Sequence, residues 1–204
     1  DGGDGTDTIS IDNTSVVAVQ AFSLSQANAF NTALQSVEKL TLTGTIDTTS
    51  DSFDLGFLDG VNSISLAAAI NGVQSFTGFT SGGTLQLAIT PSANITAAVN
   101  GAAVSATDVF NVVLPSTSAD DYNSLVFANI ETLNITATEA TAAAAYDVAR
   151  LGLNITQTSA AAGGSGAAQT VNFLGTEAFN IDATIAAGTI DASGMSLRTA
   201  GSNG

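Results

Sequence analysis

The residues with the most explicit chemistry open the chain. Gly2-Gly3-Asp4-Gly5-Thr6-Asp7-Thr8-Ile9-Ser10 fits the nonapeptide G-G-x-G-x-D-x-U-x at every fixed position, U being a large apolar residue. In that pattern glycines permit a tight turn and expose carbonyl oxygens, Asp7 supplies a carboxylate, and Ile9 anchors a short strand. Ca²⁺ then replaces the hydrogen bonds missing between successive turns. One copy makes half of such a site, because each ion lies between two turns. A plain Gly-Asp turn leading into a strand is the other reading of the same residues.

Further carboxylates gather downstream. Asp47, Asp51 and Asp54, followed by Asp59, place four acids within 13 positions. Like charges so close are unfavourable without a cation or full solvation. The segment therefore reads either as a solvated acidic loop or as a Ca²⁺ site. Asp120-Asp121, in the loop expected before Ile130, is a further pair with the same two readings.

Composition narrows the chemistry. The formal charge is −15, from 3 basic residues (Lys39, Arg150, Arg198) against 14 aspartates and 4 glutamates. Nucleic-acid backbones and anionic membranes are bound through Lys and Arg, so the balance argues against both and favours cations. Cysteine, histidine and tryptophan are absent. Disulfides and thiolate or imidazole metal sites are thereby excluded, and any metal must be hard and oxygen-bound, Ca²⁺ before Mg²⁺. Without His or Cys there is no Ser-His or Cys-His nucleophile system, and only Tyr122 and Tyr146 could stack on sugars, so no enzymatic activity is expected. No run of 18 apolar residues is present to cross a bilayer as a helix. With no initiating Met and an opening on Asp1-Gly2-Gly3, the chain reads as a fragment of a longer protein, forming a single elongated domain over residues 1–204.

The elements that must position these acids repeat. Ile130-Glu131-Thr132-Leu133-Asn134-Ile135 recurs in varied form as Val37-Glu38-Lys39-Leu40-Thr41-Leu42, Val61-Asn62-Ser63-Ile64-Ser65-Leu66 and Thr176-Glu177-Ala178-Phe179-Asn180-Ile181. Apolar residues two apart share one side of a strand, with Thr, Ser or Asn on the other. A degenerate strand repeat predicts coils stacked on one another, each burying a face it could not bury alone. Leu24, Ala27, Phe30, Leu34 and Val37, with Ser23 and Gln26 as a capping box, predict one short helix near residues 24–36. From Gly60 to Val113 the pattern is β, and Pro115 is expected to close the strand carrying Phe110, Val112 and Leu114. Thr141 to Leu151 could form a second short helix. The Asn-Ile-Thr triplets at Asn94, Asn134 and Asn154 are formal glycosylation sequons that read as repeat chemistry, Asn bonding backbone at coil edges.

In order along the chain, GGDGTDTISID, VEKLTLTG, SATDVFNVVL, FANIETLNITAT, LGLNITQTS and TIDASGMS resemble the carboxy-terminal, lattice-forming region of RTX-type bacterial surface-layer (S-layer) proteins of alphaproteobacteria. The resemblance implies type I secretion, a parallel β-solenoid stabilised by Ca²⁺, expected here to be irregular and right-handed, and self-assembly into a two-dimensional lattice on the cell surface; cell-surface polysaccharide is a separately expected partner. It casts residues 1–12 as the RTX segment, Asp7 as its calcium carboxylate, Asp4 as a second donor, and Gly3 and Gly5 as the source of turn geometry and backbone oxygens. Asp108 and Glu131 fall in matched segments, Asp108 as a candidate ligand. Large RTX adhesins have a similar composition, so a Ca²⁺-binding adhesin or surface binding module is the alternative.

Overall fold

The computed structural model describes residues 3–12, 24–46, 51–72, 74–88, 91, 93–102, 107–116, 121–139, 151–158, 170–176, 179–181 and 188–196. In chain order its elements are β1 (Thr8–Ile11), α1 (Leu24–Ala33), β2 (Lys39–Leu42), β3 (Asp51–Asp54), a 3-10 turn (Leu55–Phe57), β4 (Ser63–Leu66), β5 (Gln74–Phe79), β6 (Gly83–Leu87) and β7 (Ile95–Val99). They continue with β8 (Val109–Ser116), β9 (Asp121–Ala128), β10 (Thr132–Glu139), β11 (Leu151–Thr158), β12 (Thr170–Gly175), β13 (Phe179–Ile181) and β14 (Thr189–Met195).

These strands form two sheets, ordered β1-β2-β4-β6-β8-β10-β12-β14 and β13-β11-β9-β7-β5-β3. Each strand–strand pairing is parallel. From β2 onward the chain alternates between the sheets, one strand to each per coil. The repeat explains the register: Leu40 pairs with Ile64 and Leu42 with Leu66, so like residues stack on like. Three of the four six-residue copies lie in the eight-stranded sheet, as β2, β4 and β10. The fourth supplies β13 of the six-stranded sheet.

Alternation sends one face of each strand inward. Leu40, Ile64, Leu85, Val112 and Ile135 from one sheet and Phe53, Phe76, Ala97 and Phe127 from the other join one core cluster. Phe110 of β8 bridges the sheets, meeting Phe79 of β5 edge-on at 5.0 Å and Phe127 of β9 at 5.7 Å. In later coils a strand of the six-stranded sheet runs between consecutive strands of the larger one; between β1 and β2 the element among the described residues is α1. Phe30 of α1 and Leu34 just past its end line an apolar cavity with Ile9, Ile11, Leu40, Phe53 and Ile64. The helix thus packs on the core where the second sheet has no strand among the described residues, and it falls where the apolar spacing predicted it.

Several expectations are corrected. The acidic segment is not all loop: Asp51–Asp54 is strand β3, paired with β5. Asp121 likewise opens strand β9 instead of lying in a loop. Pro115 does not end its strand, since β8 continues to Ser116 and Pro115 pairs with Thr138 of β10. The reason is directional. The Val109 N–H points toward the β6 side, onto Ser81 Oγ, and residues two apart point alike, so the missing N–H of Pro115 faces β6. Registered pairing with β6 stops at Val113, so Pro115 removes no bond from the β10 ladder. Of the second expected helix, residues 141–150 lie outside the described residues, and Leu151 begins strand β11.

Candidate metal centre

A corner of the coil recurs. Two residues before the polar corner residue the backbone turns left-handed: Gly5 (φ 123°) before Asp7, Ser36 (φ 59°) before Glu38, Gly60 (φ 88°) before Asn62 and Asn129 (φ 58°) before Glu131. Gly adopts this conformation freely and Asn at modest cost, which suits them to the turn. The corner residue is two positions before an inward core side chain, Ile9, Leu40, Ile64 or Leu133, so parity turns it toward the rim of the core. On β1, β2 and β4 the parallel register stacks Asp7, Glu38 and Asn62 one above another, as it stacks Asp108 and Glu131 on β8 and β10.

The two acid pairs share one geometry. The Asp7 N–H donates to Glu38 Oε2 at 2.8 Å, and the Asp7 carbonyl accepts from the N–H groups of Glu38 (3.2 Å) and Lys39 (3.0 Å). In the other pair the Asp108 N–H donates to Glu131 Oε2 at 2.8 Å, and the Asp108 carbonyl accepts from the Thr132 N–H at 2.9 Å. In both, Oδ2 of the aspartate is buried with no hydrogen-bond partner. They differ in depth: Asp7, just before edge strand β1, is half-buried, whereas Asp108 and Glu131 are 5 % and 6 % exposed. Carboxylate oxygens on adjacent coils are a donor set for a hard cation, and the unbonded Oδ2 belongs to the Asp7 carboxylate that the nonapeptide reading assigns to Ca²⁺. On that count the residues at the first corner fit the ion.

The other predicted acids are dispersed. Asp4 is exposed in the bend before β1. Asp54 caps the 3-10 turn, its Oδ1 accepting from the Gly56 N–H at 2.9 Å, and Asp59 is tied to α1 by its N–H on Asn31 Oδ1 at 3.3 Å. Asp47 and Asp120 lie outside the described residues, as do the side chains of Asp51 and Asp121. Among the described residues no three acids gather into one metal-holding group. The partner that sequence reasoning missed is Glu38. Its signal was present: Thr-Asp-x-Ile and Thr-Asp-x-Phe are followed 31 and 23 residues after the aspartate by the glutamate of Val-Glu-x-Leu and Ile-Glu-x-Leu.

A second built feature crosses the outer face. Asn134 Nδ2 donates to Asn111 Oδ1 at 2.9 Å and Asn172 Nδ2 to Asn134 Oδ1 at 2.8 Å, so three coils are joined by one amide ladder. Asn134 therefore bonds side chains in mid-strand instead of backbone at a coil edge; Asn111 adds the backbone contacts, to the Gly82 and Gly83 carbonyls. No helix among the described residues is long and apolar enough to cross a membrane. No protein-family model matches the chain, and neither a characterised protein nor a solved structure gives a significant match.

Proposed function

We propose that the chain is a structural component of a bacterial surface layer, exported to the cell surface, whose folding and self-assembly depend on Ca²⁺. The observation that carries this reading is the nonapeptide corner itself. Asp7 and Glu38 are joined on adjacent coils, with Asp7 Oδ2 unbonded, beside β1, the outermost strand of the eight-stranded sheet among the described residues. Asp7 and Glu38 would hold the ion, with Gly3 and Gly5 offering backbone oxygens; bound there, it would neutralise the two carboxylates and tie adjacent coils together. Coupling by mass action then links folding and contact between copies to ion concentration. The coils are taken as a right-handed β-solenoid, the hand that parallel crossovers adopt almost without exception. The reading assigns no catalysis, in keeping with a chain that lacks His and Cys.

The polar outer face, with Thr132, Asn134 and Thr136 on β10 beside Asn111 and Asn172, favours a second reading, a Ca²⁺-binding adhesin or module that presents this face to cell-surface polysaccharide. A Ca²⁺ titration followed by circular dichroism, light scattering and electron microscopy tests both. The surface-layer reading expects a gain of β signal and ordered arrays at about millimolar Ca²⁺, the range of extracellular modules. A protein that folds with Ca²⁺ but stays dispersed and binds glycans supports the adhesin. If neither structure nor particle size responds to the ion, the Ca²⁺ mechanism is wrong.

A further inference from the structure

The Asp108–Glu131 pair lies outside any nonapeptide, because no glycine precedes Asp108 in the required pattern. Its burial nevertheless sets a harder electrostatic problem than the first corner does. Asp108 and Glu131, 5 % and 6 % exposed, stand side by side at the starts of the adjacent strands β8 and β10, Glu131 next to Ile130, which has no exposed surface. One oxygen of Glu131 takes the Asp108 N–H. Oδ2 of Asp108 takes nothing, although it is fully enclosed. The only basic side chain among the described residues, Lys39, has its Nζ on Gln86 Oε1 at 2.9 Å. A buried ionised carboxylate needs a counter-charge or a proton.

We infer that Asp108 and Glu131 form an internal site for a hard divalent cation, Ca²⁺ by its oxygen donors, which staples β8 to β10 within the body of the coil stack. Recurrence favours a cation over a shared proton. The same arrangement recurs at Asp7–Glu38, where the nonapeptide supplies an independent reason for Ca²⁺. Two carboxylates provide up to four of the six to eight oxygens that Ca²⁺ takes, the remainder coming from backbone carbonyls or water. This inference does not depend on lattice formation, so its test and that of the surface-layer reading can fail separately.

The test uses the 204-residue chain in three forms: wild type, D108N/E131Q and D7N/E38Q. Bound Ca²⁺ is counted by equilibrium dialysis, and thermal midpoints are measured in EDTA and in Ca²⁺. The inference expects D108N/E131Q to bind one ion fewer than wild type, while D7N/E38Q retains the internal one. It also expects a reversal: D108N/E131Q melts at or above wild type in EDTA, where it removes repulsion, and below wild type in Ca²⁺. Unchanged stoichiometry, or the same stability difference in both media as a proton-sharing pair would give, overturns it. Should the double variant not fold, Eu³⁺ luminescence lifetimes in H₂O and D₂O on the wild type decide. An internal site gives a class of ions with fewer bound waters than ions at the half-buried Asp7 corner; a single, strongly hydrated class overturns the inference.

Discussion

Replacing Phe110 with alanine tests whether the two sheets are held together through one aromatic bridge. Phe110 has no exposed surface, and its ring touches Phe79 at 5.0 Å and 80° and Phe127 at 5.7 Å and 44°, both of which belong to the opposite sheet. Truncating a buried phenylalanine costs about 3–5 kcal/mol, the lost transfer energy plus the cavity left behind. Against a total stability of about 5–15 kcal/mol that is a large share. At an m-value of about 2 kcal/mol/M the urea midpoint should fall by about 2 M, measured by circular dichroism at one fixed Ca²⁺ concentration so that ion linkage does not contribute. Phe110→Leu, which refills part of the void, should recover roughly half of the loss. A double-mutant cycle of Phe110→Leu with Phe127→Leu should return a coupling of about 0.5–1.5 kcal/mol for the tilted rings. A midpoint shift below about 0.5 M for Phe110→Ala would refute the reasoning, because the sheets could not then be packed across that ring.

Three further outcomes follow from single residues. At the left-handed corner, Asn129→Gly should leave the urea midpoint unchanged or raised, while Asn129→Val should destabilise by about 1–2 kcal/mol because its branched Cβ opposes a φ of 58°; equal effects would remove the corner argument. In the amide ladder, Asn134→Ala forfeits two side-chain hydrogen bonds, about 1–2 kcal/mol, and Asn134→Asp should cost at least as much, since it turns an acceptor onto Asn111 Oδ1; a neutral aspartate would show that the ladder carries no energy. The Ser193 backbone N–H, 2.8 Å from Asp191 Oδ1, together with the Ser193 hydroxyl, holds the Asp191 carboxyl below its ordinary value of 3.8. A folded value below the unfolded one means that the contribution is present above the unfolded value and lost as pH falls through the folded one; an NMR titration with its midpoint at or above 3.8 would contradict it.

The sheets were legible because their grammar is local. Apolar residues at alternate positions, with Thr or Asn between them, specify an inward and an outward face whatever the neighbours are, and the six-residue theme marked β2, β4, β10 and β13. The helix was equally local. What the one-dimensional pattern did not convey is which coils touch. Glu38 meets Asp7 only because α1 and its flanking chain return β2 to the side of β1, across 31 residues. The acidic segment misled for a related reason. Asp51 and Asp54 look alike in a list of charges, yet Asp54 serves as a cap for the Gly56 N–H, a role that depends on one short 3-10 turn. Pro115 was read from its missing donor alone, when what matters is the side of the strand on which that donor would have stood.

Because each coil is registered only on the one before and the one after, the molecule is nearly a one-dimensional chain of cooperative units. Structure can nucleate on any well-packed pair of neighbours and spread outward, as a zipper does, and disruption should travel the same way. Among the described strands, the two outermost of the larger sheet are unequal: β1 has a helix drawn across its inner face, whereas β14 is exposed along nearly its whole length. Fraying should therefore begin at β14, and amide protection should rise rung by rung from there toward Phe110.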